Sequence, residues 1–383
     1  MKKYMIKFYS FCVIMLLVSV FILVFPKTVN RTVAFTVKFC LESMIPSLFP
    51  FLVLSQLFAE SNLQNTLGKY FAKPIENIYG VCENLSGSFL IGLISGFPSG
   101  ARAVCIAYDK KLCTKEQAEY AVAVSNNASP VFILSVVGVV SLGKFASGII
   151  LLFAQLIALS FTSVILRKIE FGGEKECPYK ITPIKTERLP VSQIIVKSVR
   201  DSVFVMLIIC GFIVFFSVIS LFFQTISVLL FGHSIWLKSI ISGFFEISSG
   251  IFTAGTITNH RGMLLCAAMM GWSGLSVYFQ IIGICSEYGL STAKFLFSRL
   301  LQLILCPAVT FLLILIYPES APAFFQILRP YYMNHLSNPF SNMIFAVLSI
   351  FSILFAFFLL YVISFFARNK SHSKIFAKKV QKP

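Results

Sequence analysis

Charge is what this 383-residue sequence has least of: Asp, Glu, Lys and Arg make up 12% of it, against roughly a quarter in soluble domains. A chain of this length built for water would hold two or three domains, and so little charge excludes them. Acidic residues are the scarcest, 15 against 32 Lys and Arg, and the net charge of +17 has to sit in loops and tails beside a bilayer. There it meets anionic lipid and sets orientation, so anionic membrane lipids are expected contacts and nucleic acid is not. The four histidines, His233, His260, His335 and His372, are scattered, HExxH is absent, and the ten cysteines include no CxxC pair. The usual zinc and dithiol motifs are thereby missing, and the cysteines read as small core hydrophobes. No GxxxxGK[ST] segment occurs, which removes ATP-driven pumping by this chain. No nucleophile, base and orienter stand at a recognisable spacing, so neither an enzyme nor a cofactor is expected.

What is abundant is apolar surface. Apolar residues are 57% of the chain, and at roughly 20 residues per helical span they could supply on the order of eight to ten crossings. The fold class is an all-α polytopic membrane protein, since only helices satisfy the backbone of such segments in lipid. Lys2, Lys3 and Lys7 precede an apolar run from Phe8 to Phe25, and Phe25-Pro26-Lys27 offers no A-x-A-like cleavage site. The run therefore reads as a retained first span with its N-terminus inside. Ala146 to Leu166, Ser202 to Phe223, Leu300 to Tyr317 and Met343 to Phe366 are each long enough to cross. The tail beyond Phe366 is basic without one acidic residue, which puts it on the cytoplasmic side and makes the number of full crossings even.

The order that follows is an N-terminal anchor helix (1–30), a first membrane repeat (31–166), a polar linker (167–200), a second repeat (201–318), a loop with a final transmembrane helix (319–367) and a basic tail (368–383). Within the repeats lie apolar pieces too short to cross alone: Phe89 to Phe97, Val131 to Leu142, Ile235 to Phe245, Met263 to Gly271 and Leu275 to Cys285. Breaks in lipid survive only when buried in protein or lining a wet cavity, so these pieces point at a site. Each half places a small-residue break (Ser95 to Gly100; Gly243 to Gly250) before a polar one (Asn126 to Pro130; Gly271 to Gly274). Paired interruptions of this kind are the signature of a repeat-built, pseudo-symmetric transporter. The ladder is expected to break near 97–100, 126–129, 248–250 and 272–274.

The chemistry of the breaks leaves alternatives open. Thr114 and Gln117 form a capping box, and Ser129-Pro130 is a second helix start, so Asn126 and Asn127 fall between two helices. A helix N-terminus there, with amide and hydroxyl groups, suits a carboxylate; a satisfied polar kink is the other reading. Gly92, Gly96 and Gly100 form a small-xxx-small ridge that needs no ligand. Arg102 follows within a turn, either as a cation for substrate or snorkelling to the interface beside Asp109, Lys110 and Lys111. Glu246 could bind a proton, pair with Arg102 or hold a substrate, or it could cap a helix. Lys38 and Glu42 read as a local pair, and Trp272 as cavity wall, packing or belt.

Ser47 to Val53, Ser95 to Arg102, Thr114 to Glu119 and above all Ser125-Asn126-Asn127-Ala128-Ser129-Pro130-Val131-Phe132-Ile133-Leu134 resemble the YlbJ-type sporulation integral membrane proteins of endospore formers. The second-half segments Gly243 to Gly250 and Gly271 to Gln280 are similar to that family's second repeat. The resemblance implies a gate-like repeat distantly similar to concentrative nucleoside transporters, and movement of dipicolinic acid, a planar dicarboxylate, across the outer forespore membrane. The residues expected to meet such an anion are Ser95, Gly96, Pro98, Ser99, Gly100, Arg102, Asn126, Asn127, Ser129, Glu246, Ser248, Ser249, Trp272, Ser273 and Gln280. A non-transporting scaffold for spore envelope assembly and a nucleoside-type transporter are the alternatives, and assembly into a homo-oligomer is compatible with each.

Overall fold

The computed structural model describes residues 2–60, 63–171, 190–257 and 260–316. Among them the chain is helical throughout: α1 (Lys2–Val24), α2 (Pro26–Phe39), α3 (Ile45–Glu60), α4 (Leu63–Tyr79), α5 (Ser86–Ser95), α6 (Ser99–Asp109), α7 (Lys115–Ser125), a π-helical segment (Phe132–Ser141), α8 (Phe145–Phe171), α9 (Val191–Phe231), α10 (Ile235–Phe245), α11 (Ile247–Gly255), α12 (His260–Trp272), α13 (Gly274–Glu287) and α14 (Ala293–Ile316). The expected final span at 343–366, the basic tail and most of the linker lie outside the described residues. The expected side of the C-terminus and the parity of the crossings lie there with them.

Four of the described helices are long and apolar enough to cross a membrane: Phe145–Glu170, Val191–Phe231, His260–Glu287 and Ala293–Ile316. Two bent pairs, Cys12–Val24 with Pro26–Met44 at 100° and Gly68–Tyr79 with Glu83–Ser95 at 111°, raise the number to six if each is one span. The chain is an integral membrane protein, and the spans expected from Ala146, Ser202 and Leu300 fall on α8, α9 and α14. Helix α9, at 41 residues, is about 62 Å long at 1.5 Å per residue, twice the hydrocarbon thickness. Its first turns, carrying Lys197, Arg200 and Asp201, therefore reach beyond the lipid core, and Lys197 pairs there with Glu60 at 2.8 Å.

Both halves run in the same order. A short helical hairpin (α5 with α6; α10 with α11) is followed by an interrupted span (α7 and the π segment; α12 and α13) and then by a continuous helix (α8; α14). The hairpin arms have 9 to 11 residues, about 15 Å each, half the length a span needs, before the chain returns. Helix α14 packs on α7 and α8 of the first half and on α12 of the second, which ties the two together.

Three expectations need correction. Gly92, Gly96 and Gly100 do not form one helical ridge, because the helix stops at Gly96 (φ +75°) and the chain doubles back. Gly92 and Gly100 instead face each other across the hairpin, where a Cβ on Gly92 would lie 2.1 Å from the Ser125 carbonyl oxygen and 3.0 Å from Gly100 Cα. The third break falls at Glu246, between α10 and α11, and 248–250 are helical; a carboxylate that can cap its own following helix stops α10 earlier than the small residues do. Among the cysteines Cys82 is disulfide-bonded, whereas Cys40, Cys105, Cys266, Cys285 and Cys306 are buried and free, as small core hydrophobes are. Breaks at 126–129 and Ser273 stand where the sequence put them, and the break expected at 97–100 falls at 96–98, with Ser99 and Gly100 already in α6.

Candidate functional site

The first two breaks are built from neutral groups. Thr114 and Gln117 close the expected capping box, Thr114 Oγ1 accepting from Gln117 N at 3.3 Å and Gln117 Oε1 from Thr114 N at 3.0 Å, so α7 runs to Ser125. Ser129 Oγ accepts from Phe132 N at 3.2 Å and restarts the helix beyond the gap. Asn126, fully buried, uses both ends of its amide: Oδ1 accepts the Ala101 N-H at 2.8 Å and Nδ2 donates to Val122 O at 2.7 Å. In this way α6, whose own N-cap position is Pro98, receives its cap from the neighbouring break. Asn127 Nδ2 donates to Val124 O at 2.9 Å, the Asn127 backbone carbonyl accepts Phe97 N at 3.1 Å, and Gln155 Nε2 of α8 donates to Ala128 O at 2.9 Å. Backbone groups freed by the interruption thus find partners inside the protein, as an apolar surrounding demands.

The last two breaks carry the ionisable groups. Glu246, 1% exposed, takes the extended conformation of a cap, and its two carboxylate oxygens accept Ser248 N at 2.9 Å and Ser249 N at 2.7 Å. The positive end of α11 thereby faces a negative group. Ser273, in the left-handed region at φ +73°, precedes Gly274 at φ +83°, where a Cβ would stand 3.0 Å from Ile247 N. A serine persists in that conformation when its surroundings fix it. Arg299, 1% exposed on α14, supplies the constraint: Nη1 donates to Ser273 Oγ at 3.3 Å while Nη2 donates to Asn127 Oδ1 at 3.2 Å. One guanidinium therefore joins the second break to the fourth, with its face over the Phe295 ring at 5.1 Å.

All four breaks meet. Gly96 abuts Ser129 and Asn127, and Gly274 abuts Glu246 and Ile247, closely enough that a Cβ on either glycine would lie about 3 Å or less from neighbouring backbone. Between them lies a cavity lined by Ser95, Phe97, Ser129, Phe132, Glu246, Ile247, Ser248, Ser276, Val277 and Gln280, with Met44, Leu48 and Leu52 before α5 and Ile209 and Ile213 of α9 closing the apolar side. It leaves about 50 Å³ in which the centre of a water-sized molecule can move. Ser95 Oγ, buried on this wall, has no hydrogen-bond partner among the described residues.

Of the residues expected from the sequence, Ser95, Ser129, Glu246, Ser248 and Gln280 line this cavity. Gly96, Pro98, Asn126, Asn127 and Ser273 form the break backbones behind it, and Gly100 sits in the first turn of α6. Ser99 is buried with its hydroxyl unpartnered among the described residues, and Ser249 offers its amide to Glu246. Trp272 stacks on Phe244 at 5.5 Å and donates to Phe244 O at 3.0 Å, away from the lining. Arg102 is also absent from the lining: its side chain is 37% exposed, and its guanidinium lies 3.7 Å from the Asp201 carboxylate on α9. The cation behind the breaks is Arg299, one residue before the span expected from Leu300. Ser291 Oγ, accepting Ala293 N at 3.3 Å, marks the true start of α14 two turns earlier.

A curated relative agrees with the motifs. The chain is 26% identical over 288 residues, 66% of its own length and 69% of the relative's, to the Sporulation integral membrane protein YlbJ of Bacillus subtilis (strain 168). The chain is thus similar to a YlbJ protein over about two thirds of each chain. That likeness bears out the resemblance drawn from the motifs around Ser95 to Arg102 and Ser125 to Leu134. No protein-family model and no solved structure matches the chain.

Proposed function

We propose that this protein is a membrane transporter or facilitator of a small organic anion, acting in sporulation at the outer forespore membrane, with dipicolinate as the candidate substrate that the YlbJ resemblance offers. The observation that carries the proposal is the convergence of four helix breaks, two from each half, on one cavity. Interrupted helices meeting between repeats are how secondary transporters build a site, because free helix ends and side-chain dipoles there replace the hydration of a polar substrate. The walls combine neutral donors, Ser95, Ser129, Ser276 and Gln280, with the flat faces of Phe97 and Phe132.

The cavity leaves about 50 Å³ for the centre of a water-sized molecule, and the reading has a planar dicarboxylate pass when the hairpins part from the interrupted spans. The short arms of α5/α6 and α10/α11 are the elements suited to that movement. Glu246 is the ionisable side chain on the wall, and a proton on it would remove the repulsion an entering anion meets, which makes a proton the natural companion of the substrate. Purified protein in liposomes should take up labelled dipicolinate saturably and in preference to nucleosides. Uptake no faster than in protein-free liposomes would defeat the proposal, and preference for nucleosides would replace its substrate.

A further inference from the structure

We infer that Arg299 is the residue that binds the substrate's carboxylate, by exchanging its bonds to Asn127 and Ser273 for bonds to the anion; this rests on the organic-anion reading of the cavity. Three observations lead there. The first is the state of the guanidinium. Arg299 is buried on α14 with no carboxylate paired to it among the described residues, and its Nε has no acceptor. Its partners are neutral oxygens at the long end of hydrogen-bond range, Asn127 Oδ1 at 3.2 Å, Ser273 Oγ at 3.3 Å and Ser298 Oγ at 3.4 Å. A guanidinium has five donors in a planar fork matched to a carboxylate. Such charge-assisted bonds run shorter, about 2.7 to 2.9 Å, and roughly twice as strong as neutral ones, so a carboxylate within reach wins the exchange.

The second observation is the helix end beside it. Asn126 caps α6, Ser129 caps the helix after the second break and Glu246 caps α11. Helix α13, 14 residues long, has no side-chain cap, and its N-cap residue is Ser273, the same serine that Arg299 holds. Of the four helix starts at the breaks, this one keeps its amide end for something else. The third is continuity: Ser276 and Gln280, on the first two turns of α13, line the cavity. A carboxylate entering there meets the uncapped amides of α13 first and Arg299 immediately behind Ser273.

The exchange has a structural consequence. Arg299 joins Asn127 of the first repeat to Ser273 of the second, so transferring its donors to the substrate releases that tie between the halves. Substrate binding and freedom of the two repeats to move become one event, which is what a carrier needs.

The test is binding to the purified protein of three probes: dipicolinate, the monocarboxylate picolinate, and the neutral isostere pyridine-2,6-dicarboxamide. Arg299→Lys should weaken dipicolinate by about tenfold or more, the loss expected for one charge-assisted hydrogen bond. Arg299→Gln should remove most of the preference for dipicolinate over the dicarboxamide. Ser273→Gly deletes a competing acceptor while suiting the positive φ, and should tighten dipicolinate by about two- to tenfold. A purely structural Arg299 would make all three variants weaker or leave all three unchanged, and either result overturns the assignment. If Arg299→Gln does not fold, Arg299→Lys and Ser273→Gly, moving in opposite directions, decide the matter. Wild-type protein that binds dipicolinate selectively, with Arg299→Lys unchanged, would remove Arg299 and leave the anion reading standing. Wild-type protein that fails to distinguish dipicolinate from the dicarboxamide would remove the anion reading itself.

Discussion

The two hairpins solve one problem in different ways. Both turn back at a break and both leave a helix start in an apolar surrounding. In the first, the start of α6 is capped from outside by Asn126 Oδ1, and the surrounding amides and carbonyls are cross-braced by Phe97, Asn127 and Gln155. In the second, the start of α11 is capped by the hairpin's own Glu246, and the adjoining fourth break leans on the charge of Arg299. At its breaks the first half is thus a neutral scaffold whose freed backbone groups are paired, and the breaks of the second hold the ionisable groups. A site needs both: one wall that does not change and one whose interactions can be exchanged.

The comparison is tested most severely at the glycines. Gly92→Ala puts a Cβ 2.1 Å from the Ser125 carbonyl oxygen, a backbone atom fixed by the second break, and should cost more than about 3 kcal/mol, enough to deplete folded protein from membranes. Gly243→Ala, in the corresponding hairpin, meets the buried Met269 side chain, its Cγ at 2.6 Å, which can repack where a backbone carbonyl cannot, and should cost about 1 to 3 kcal/mol. Thermal unfolding of the two purified variants measures the difference; equal losses would erase the distinction. Next in size, Asn126→Ala strands the Ala101 amide and the Val122 carbonyl and should cost about 2 to 4 kcal/mol with little change in residual uptake per folded molecule. Glu246→Gln keeps one acceptor for α11, should cost about 1 to 2 kcal/mol, and should flatten the pH dependence of uptake if a proton accompanies the anion. The smallest effect belongs to Arg102→Ala. Its partly exposed contact to Asp201 at 3.7 Å is worth less than about 1 kcal/mol, and uptake should be unchanged.

Much of the scaffold was legible because its signals are local. The capping box at Thr114, the Ser129-Pro130 start and the gap between them follow from residues within four positions of one another, and α10 spans the same 235–245 that its bounding polar residues suggest. What could not be read was which side chains look into the cavity. Asn126 and Asn127 are the most conspicuous polar pair in the sequence, yet Asn126 faces the backbone of α7 and α6, and Asn127 faces the backbone of α7 and the Arg299 guanidinium. Arg102 stands beside the glycine motif in sequence but leaves on the far side of α6 toward Asp201. Arg299 has no motif around it, and its role depends on contacts with residues 26 and 172 positions away. Both hairpin glycine pairs were visible as small-residue spacings; that they pack across a turn instead of along one helix needed the break at Gly96 to be placed first.

The central claim, that substrate passes through the cavity where the breaks meet, is tested most directly at Ser276, on the wall between the second hairpin and Gln280. Ser276→Cys protein in membranes should react with a hydrophilic maleimide, quantified by mass spectrometry of the 276 peptide, and dipicolinate should slow that reaction with saturation. Labelling that dipicolinate leaves unchanged, or no labelling from either side of the membrane, would contradict the account.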